Sequence, residues 1–320
     1  MGVTKLLFLL LLFNLTSIEF LLFVLTKNKN YYVKRTYVFI IENQSSPITS
    51  KNNPLIKRFR SFKDKLPIKE SDSFCIEGTH LLEESIKAGI IPFKVIATSD
   101  WLAKNNSKKT IFDSSLINVV SQNALASAIS TKNPDGVAAL VHRSSLMDFS
   151  LDDKDDLILV LDRIQDPGNM GNLFRIALAA GVNKILLAGG ANPLSPKVLR
   201  SSCGSIFHLP FKRIEGDEEN IIKKLLNSLK DFNKKGFQVI LTAGASKSAE
   251  ITLKPYWELN WQKPTALILG NEGSGIHNKI KEAFNETITI PHNELVESLN
   301  VACVAVPLLL ERGRAALTSK

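Results

Sequence analysis

The stretch "LDRIQDPGNMGNLFRIALAAG", Leu161–Gly181, decides the fold because it begins as a strand, passes a polar turn and ends as a helix. Residues 157–161, "LILVL", are the continuous apolar run typical of a strand covered on both faces of a parallel sheet. The turn therefore lies at a carboxyl end of the sheet, where open α/β folds place ligands. We expect a glycine-containing loop that allows close backbone approach, with Asn169 and Asn172 capping the helix.

The spacing of the glycines in this turn differs from G-x-G-x-x-G, which disfavours a dinucleotide-binding dehydrogenase. Strands and helices alternate from here to the end of the chain, a pattern that predicts a doubly wound α/β domain with a mostly parallel sheet. Strands are predicted at residues 184–189, 207–211, 237–244, 265–270 and 286–290, and helices at 196–205, 218–235 and 276–284.

Two later stretches repeat the arrangement of a buried strand that opens into a polar loop. "LILGNEGSGI", residues 267–276, places Glu272 in a glycine-rich turn. "IPHNELVESLNVACVAV", residues 290–306, places Ser298 and Asn300 before a helix that is apolar on almost every side, so we expect that helix to be buried. Each loop alone also fits a solvated turn or a helix cap. Together the three loops would bring one Arg, one Glu, one Ser and two Asn to a shared site.

The composition limits the possible classes of function but does not identify one of them. The 320 residues are 44% hydrophobic and 22% charged, enough for two domains with sizeable cores. The formal charge of +9 suits a polyanion partner, although many basic proteins bind none. The three cysteines are far apart and have no metal-ligand spacing, so we expect reduced thiols in cores, without a disulfide or a metal.

Residues 1–49 form a hydrophobic N-terminal extension. Leu6 to Leu25 is nearly as long as a bilayer-spanning helix, but Asn14 and Glu19 interrupt it and no A-x-A cleavage site follows. A membrane anchor, a targeting segment and an artefactual upstream extension all remain open. Membrane contact is expected only through residues 6–25. The expected location is the cytoplasm, with an organelle or a membrane as the alternative.

The segment from Lys51 to Glu70 is basic, with seven Lys or Arg against two acids. An amphipathic helix with a solvated face has this composition, and so does a surface that contacts RNA phosphates. We predict an α/β domain at residues 50–143, a linker at 144–156 and a second domain at 157–320. The candidate RNA contacts are Lys57, Arg58, Arg60 and Lys63.

"NMGNLFRIALAAG", "LILGNEGSGI" and "IPHNELVESLNVACVA" resemble, in order and spacing, the three motifs of the SpoU (TrmH-like) RNA ribose 2′-O-methyltransferases of the SPOUT class. "NPLIKRFRSF" and "FCIEGTHLLEESIKAG" look like the substrate-binding domain of the 23S ribosomal RNA members. The resemblance covers about residues 51–312. It implies a small L30e-like α/β domain, followed by a Rossmann-like parallel-sheet domain with a C-terminal trefoil knot.

The resemblance also implies S-adenosylmethionine as methyl donor, structured RNA as substrate, a homodimer and no metal. By motif position it assigns cofactor binding to Gly270, Ile290, His292 and Leu299. The catalytic residues it implies are Asn169, Arg175, Glu272, Ser298 and Asn300. Arg175 would act as a base or, in keeping with the positive charge of a guanidinium, stabilise the forming alkoxide, with Asn169 and Glu272 orienting it. A transfer RNA methylase of the same family and a non-catalytic RNA-binding protein are the alternatives.

Three positions depart from the family's pattern. His292 stands where the family has a Met beside the cofactor, and Glu294 stands where it has a Gly that lets the loop turn. Pro307 falls inside the final helix, where it should remove one backbone hydrogen bond and kink the axis. None of the three removes a predicted catalytic residue, but each bears on how tightly the cofactor is held.

Overall fold

The computed structural model describes residues 46–63, 72–105, 114–244, 253–293 and 295–317. These residues belong to one compact unit, Gln44–Lys320. The predictions for the hydrophobic N-terminal segment and for Glu294 lie outside the described residues. Within the described ranges, no helix is long and apolar enough to cross a bilayer.

A four-stranded mixed sheet forms the first part of the described chain. Its strand order is β1-β4-β2-β3, with β4 antiparallel to both β1 and β2 and with β2 parallel to β3. The elements are α1 (Pro54–Arg60), β1 (Ser73–Glu77), α2 (Thr79–Lys87), β2 (Lys94–Ala97), α3 (Ser99–Lys104), β3 (Ile117–Val119), α4 (Gln122–Ala128) and β4 (Val137–His142). The alternation of short strands and helices predicted for this region is present.

A seven-stranded sheet follows, and every strand pair in it is parallel. Its order is β7-β6-β5-β10-β8-β11-β9. The elements are β5 (Leu157–Asp162), α5 (Pro167–Ala179), β6 (Lys184–Ala188), α6 (Pro196–Ser202), β7 (Phe211–Ile214), α7 (Glu218–Lys234), β8 (Gln238–Ala243), β9 (Lys254–Pro255), β10 (Thr265–Leu269), α8 (Asn278–Ala283), β11 (Thr287–Thr289) and α9 (Val301–Leu317). The predicted mixed α/β class with a Rossmann-like parallel sheet is confirmed.

The opening motif is helical earlier than its composition indicates. The helix starts at Pro167, so Asn169 and Asn172 lie in its first turns rather than in a loop. The N-cap is Asp166, whose carboxylate accepts a hydrogen bond from the Asn169 backbone N–H at 2.8 Å. Gly171 serves helix packing, because a Cβ there would lie 2.4 Å from Ser201 Cβ in α6. The expectation that the two asparagines cap the helix was wrong.

The strand predicted at residues 207–211 is displaced, because β7 begins only at Phe211. Residues Ser205–Phe207 form a 3₁₀ turn instead. The Phe207 ring packs against Phe74 of the small sheet, with 6.3 Å between ring centroids. The apolar residue Phe207, which contributed to the prediction of a strand, therefore packs between the two sheets instead.

A buried polar cluster also joins the two sheets. The carboxylate of Glu77 in β1 accepts hydrogen bonds from the backbone and hydroxyl groups of Ser130 and Thr131, at 2.7–3.1 Å. Arg200 in α6 reaches the same carboxylate at 2.9 Å. The Glu77 side chain is only 3% exposed, so this ion pair fixes the small sheet against the large one.

The helix α9 runs from Val301 through Pro307 to Leu317. It packs against α5, but it is not buried all round as expected, because Val306 is 39% and Leu310 51% exposed. The cysteines differ in the same way from the prediction of three core thiols. All three are free, but only Cys75 is buried, and Cys303 on α9 is exposed.

Candidate active site

Three loops meet where strand order reverses in the large sheet. Loop 1 (residues 163–166) follows β5, loop 2 (residues 270–277) follows β10, and loop 3 (residues 290–300) follows β11. The strands β5 and β10 are neighbours, with the order running through β6 and β7 on one side and through β8 and β11 on the other. Such a switch point in a parallel sheet leaves a crevice beyond the strand ends.

Loop 1 is held in an unusual conformation by a buried ion pair. Arg163 has a φ of +56°, which side-chain-bearing residues rarely adopt. Its guanidinium bonds to Asp162, which is fully buried, at 2.9 Å, and reaches the Gly275 carbonyl at 3.4 Å. Asp162 also accepts from the His277 backbone N–H at 2.9 Å. Loops 1 and 2 are thereby tied together at the base of the site.

Loop 2 is organised by Asn271 and by the absence of a side chain at Gly270. The Asn271 amide donates to the Arg163 carbonyl at 2.9 Å, while its oxygen accepts from the backbone of Gly273 and Ser274. A Cβ at Gly270 would lie 2.4 Å from the Gly275 carbonyl carbon. Glycine at 270 therefore allows the loop to close on itself.

Three of the predicted site residues form one hydrogen-bonded chain across the loops. The Asn169 amide donates to the Glu272 carboxylate at 3.1 Å. The Asn300 amide in turn donates to the Asn169 side-chain oxygen at 2.9 Å. The Asn300 oxygen accepts from the Ala302 backbone N–H at 2.9 Å and so caps α9. One residue from each motif is therefore brought to the same place.

Glu272 is fixed as a carboxylate by its neighbours. Besides Asn169, it accepts from the backbone N–H groups of Gln165 at 3.1 Å and Asp166 at 3.2 Å. Burial raises the pKa of Glu272, but these donors outweigh burial and lower the pKa below its usual value. A charged Glu272 thus holds the start of α5 against loop 2.

Arg175 and Ser298 are placed differently from the other predicted catalytic residues. Arg175 is exposed on α5, and its guanidinium lies 3.8 Å from the Cys203 thiol. Six residues separate it from Asn169, which is roughly 9 Å along a helix axis and about 120° around it. Among the described residues, Asn169 and Glu272 bond to each other and Arg175 contacts Cys203, so the orienting role of Asn169 and Glu272 toward Arg175 stays a prediction. Ser298 is exposed in loop 3, and Asn300 takes the capping role.

Two adjoining cavities lie between the loops. The inner cavity is about 530 Å³ and the outer one about 540 Å³. The wall common to both includes Glu272, Ser298 and Leu299. The predicted cofactor-binding residues Gly270, Ile290, His292 and Leu299 all line the inner cavity. Asn169 and Asn300 line the outer cavity, so the hydrogen-bonded chain forms part of its wall.

The basic segment of α1 is divided between structural and exposed residues. Arg60 donates to the Ser127 carbonyl at 3.0 Å and Lys63 to the Ala126 carbonyl at 3.3 Å, which ties α1 to α4. Arg58 is exposed, and its guanidinium lies 5.4 Å from the centre of the Phe93 ring. Lys57 is exposed on the same helix. Arg60 and Lys63 therefore hold the fold locally, which the count of charges did not reveal.

Sequence reasoning missed several residues that organise the site. Asp162 and Arg163 read as the polar end of a strand, and Asn271 reads as a turn residue. Their role in holding the loops together is seen only in the left-handed φ of Arg163 and in the hydrogen bonds between the loops. Across the described part of the chain, no group of three or more His, Cys, Asp or Glu residues could hold a metal ion.

The switch-point crevice and the paired cavities define an α/β enzyme that holds a small cofactor beside a polar substrate. Residues 156–310 match the SpoU rRNA Methylase family, and residues 53–139 match the MRM3-like substrate binding domain. The chain belongs to the SpoU family. The predicted family, enzyme class and S-adenosylmethionine cofactor are thereby confirmed.

Relatives extend over nearly the whole chain. An uncharacterized tRNA/rRNA methyltransferase of Synechocystis sp. is 36% identical over 280 residues, which are 87% of this chain and 96% of the relative. The 23S rRNA (guanosine(2553)-2′-O)-methyltransferase RlmP of Bacillus subtilis is 31% identical over 82% of this chain and 97% of its own length. The crystal structure of an AdoMet-bound rRNA methyltransferase from Sinorhizobium meliloti superimposes with a TM-score of 0.69, at 25% identity, over 84% of this chain and 97% of that one.

Proposed function

We propose that this protein transfers a methyl group from S-adenosylmethionine to a ribose 2′-hydroxyl of 23S ribosomal RNA. The observation that carries the proposal is the Glu272–Asn169–Asn300 chain, which lines the outer cavity and reaches the wall shared with the inner cavity at Glu272. The inner cavity takes the cofactor, and the outer cavity takes the ribose. The similarity to a B. subtilis enzyme named for 23S rRNA supports the choice of RNA.

The residues of this chain fit the cofactor. The lining of the inner cavity includes Gly270, Thr289 and His292. The buried atoms His292 Nε2 and Thr289 Oγ1 have no hydrogen-bond partner in the part of the chain that the structure describes. When bound, S-adenosylmethionine supplies an electrophilic sulfonium methyl group. Ile290 and Leu299 would hold it through their backbone.

The chemistry requires the ribose oxygen to be positioned and its proton removed. Asn300 and Ser298 hold the ribose at the outer cavity, and Glu272 keeps loops 1 and 2 in place through Asn169. The O2′–methyl bond forms as the methyl–sulfur bond breaks, and the hydroxyl proton leaves to solvent. A guanidinium beside the oxygen stabilises the developing negative charge, and we assign that role to Arg175.

A homodimer reconciles this role with the position of Arg175. Leu178, three residues on and on the same side of α5, is 37% exposed. Val306 and Leu310 are exposed on α9, the helix that packs against α5. Exposed apolar residues on two packed helices are suited to a second copy of this chain. Dimerisation would bring Arg175 to the interface, where we propose that it acts on a ribose held between the subunits.

The proposed domains are a substrate-binding domain at residues 50–143, a linker at 144–156 and a catalytic domain at 157–320. The small domain would have the L30e-like fold, and the C-terminal part of the catalytic domain would form the trefoil knot. Lys57 and Arg58 would contact RNA phosphates beside the Phe93 and His142 rings, which stack with 4.1 Å between centroids. We propose that the enzyme works in the cytoplasm without a metal.

The test separates this function from the two alternatives. Purified protein is incubated with unmodified 23S ribosomal RNA or transfer RNA transcripts and S-adenosylmethionine, and 2′-O-methyl groups are mapped in both. Methylation of the ribosomal transcript alone is expected. Methylation of transfer RNA alone would favour the transfer RNA enzyme, and RNA binding without methylation would favour a non-catalytic protein.

A further inference from the structure

Two residues that line the inner cavity each carry a buried polar side-chain atom without a hydrogen-bond partner among the described residues. The atoms are His292 Nε2 and Thr289 Oγ1. Buried polar atoms in native proteins are almost always bonded, and leaving one unbonded costs free energy. The two residues lie three positions apart at the end of β11 and line the same cavity. Two such atoms at one cavity indicate a ligand that bonds to both.

The contact with the backbone determines which ring nitrogen of His292 carries the proton. His292 Nδ1 lies 2.7 Å from the Ile290 carbonyl oxygen, and a carbonyl oxygen can only accept a hydrogen bond. Nδ1 is therefore the protonated nitrogen of the neutral ring, and Nε2 has a free lone pair. His292 offers the cavity an acceptor, while the Thr289 hydroxyl can donate.

The cofactor carries a matching pair of groups. The adenine ring has an amino group that donates, next to a ring nitrogen that accepts. The lining of the inner cavity also includes the apolar residues Leu269, Val304 and Leu308, which suit a flat ring. Glu272 and Ser298 belong to the wall that the inner cavity shares with the outer one, where the methyl group has to meet the ribose.

We propose that His292 and Thr289 recognise the adenine of S-adenosylmethionine through their side chains, His292 Nε2 accepting from the amino group and Thr289 Oγ1 donating to the adjacent ring nitrogen. The inference rests on the proposed function, because it assumes this cofactor. Both atoms are buried in the cofactor-free chain, so bonding to adenine requires the side chains that cover them to move. His292 thus provides a stronger acceptor than the thioether of a Met at this position.

A matched set of variants separates the cavity-facing atom from the rest of the imidazole. His292→Asn keeps an amide nitrogen near the Nδ1 position, able to donate to Ile290, but has no atom at the Nε2 position. His292→Gln places an amide oxygen near Nε2 instead. Affinity for S-adenosylhomocysteine, measured by calorimetry, should fall about tenfold in His292→Asn and His292→Met, the ratio of one hydrogen bond. His292→Gln should stay within about threefold of wild type.

Thr289→Val gives a readout that a structural role would not produce. It replaces an unbonded buried hydroxyl by a methyl group of the same shape, so the melting temperature of the cofactor-free protein should hold or rise while cofactor affinity falls. Thr289→Ser should retain the affinity. A lower melting temperature with unchanged affinity would overturn the assignment to adenine.

A cofactor analogue tests whether the protein recognises the amino group of the adenine. S-inosylhomocysteine has a carbonyl in place of the adenine amino group, so wild type should bind it more weakly than S-adenosylhomocysteine, and His292→Asn should bind it as wild type does. The same tenfold loss with both compounds would overturn the proposal. Wild-type protein that binds neither compound would overturn the proposed function as well, whereas equal binding by all variants would overturn only this inference.

Discussion

Replacing Glu272 by Gln removes the charge that joins the first two loops while keeping the shape of the side chain. The carboxylate accepts from the Gln165 N–H, the Asp166 N–H and the Asn169 amide at 3.1, 3.2 and 3.1 Å. A Gln amide turns one oxygen into a donor that faces an existing donor, so at least one of the three bonds is lost. At about 1–2 kcal/mol for this exposed group, transfer should be about 5- to 30-fold slower.

The assay is the kcat/KM of methyl transfer from labelled S-adenosylmethionine, with Glu282→Gln as control. Glu282 is an exposed residue of α8 outside the three loops, and its substitution should leave the rate unchanged. Because the pKa of Glu272 is lowered, its bonds persist at neutral pH and are lost as pH falls through that pKa. The acid loss should therefore be weaker in Glu272→Gln. A Glu272→Gln rate within about twofold of wild type would refute the positioning role.

Three further experiments use substitutions at Arg175, in the basic segment and at Glu77. Arg175→Ala should still bind S-adenosylmethionine and remain a dimer, with methyl transfer about a hundredfold lower and only poor rescue by Lys; near-normal transfer would exclude its role. Replacing both Lys57 and Arg58 by Gln should weaken RNA binding and flatten its salt dependence. Arg60→Gln should mainly lower the melting temperature. Unchanged RNA affinity in the double variant would show that Lys57 and Arg58 are solvated residues that do not contact RNA. Glu77→Gln should cost about 1–3 kcal/mol of unfolding free energy, measured in urea, because it removes the charge that pairs with Arg200 and puts an amide donor where the Ser130 N–H donates; a loss below about 0.5 kcal/mol would contradict that role.

The central strands of the large sheet could be predicted from sequence because they are buried on both faces. β5, β6 and β10 are buried at every position and are mostly apolar, and helices alternate with the strands along the chain. The 207–211 run failed for a physical reason, since Phe207 is apolar to contact the small sheet rather than to pair in the large one. An apolar sequence indicates that a segment is buried, but it does not indicate which neighbouring element covers that segment.

The site was predictable in its composition but not in its connections. The motif positions predicted Asn169, Glu272 and Asn300 as site residues, and hydrogen bonds join their side chains in the structure. No local pattern could show that Arg175 faces away from them, because that depends on the helix starting at Pro167. Contacts far apart in sequence, such as Asn271 with Arg163, can be found only when the chain is folded.

The most direct test of the central claim is the chemical position of the transferred methyl group. Purified protein, 23S ribosomal RNA lacking the modification and methyl-labelled S-adenosylmethionine are incubated together, and the RNA is hydrolysed in alkali. A 2′-O-methyl group blocks cleavage at its own nucleotide, so the account predicts label in alkali-resistant dinucleotides, and much less of it with Arg175→Ala. Label recovered in single nucleotides methylated on the base, or no label although the protein binds the cofactor, would contradict it.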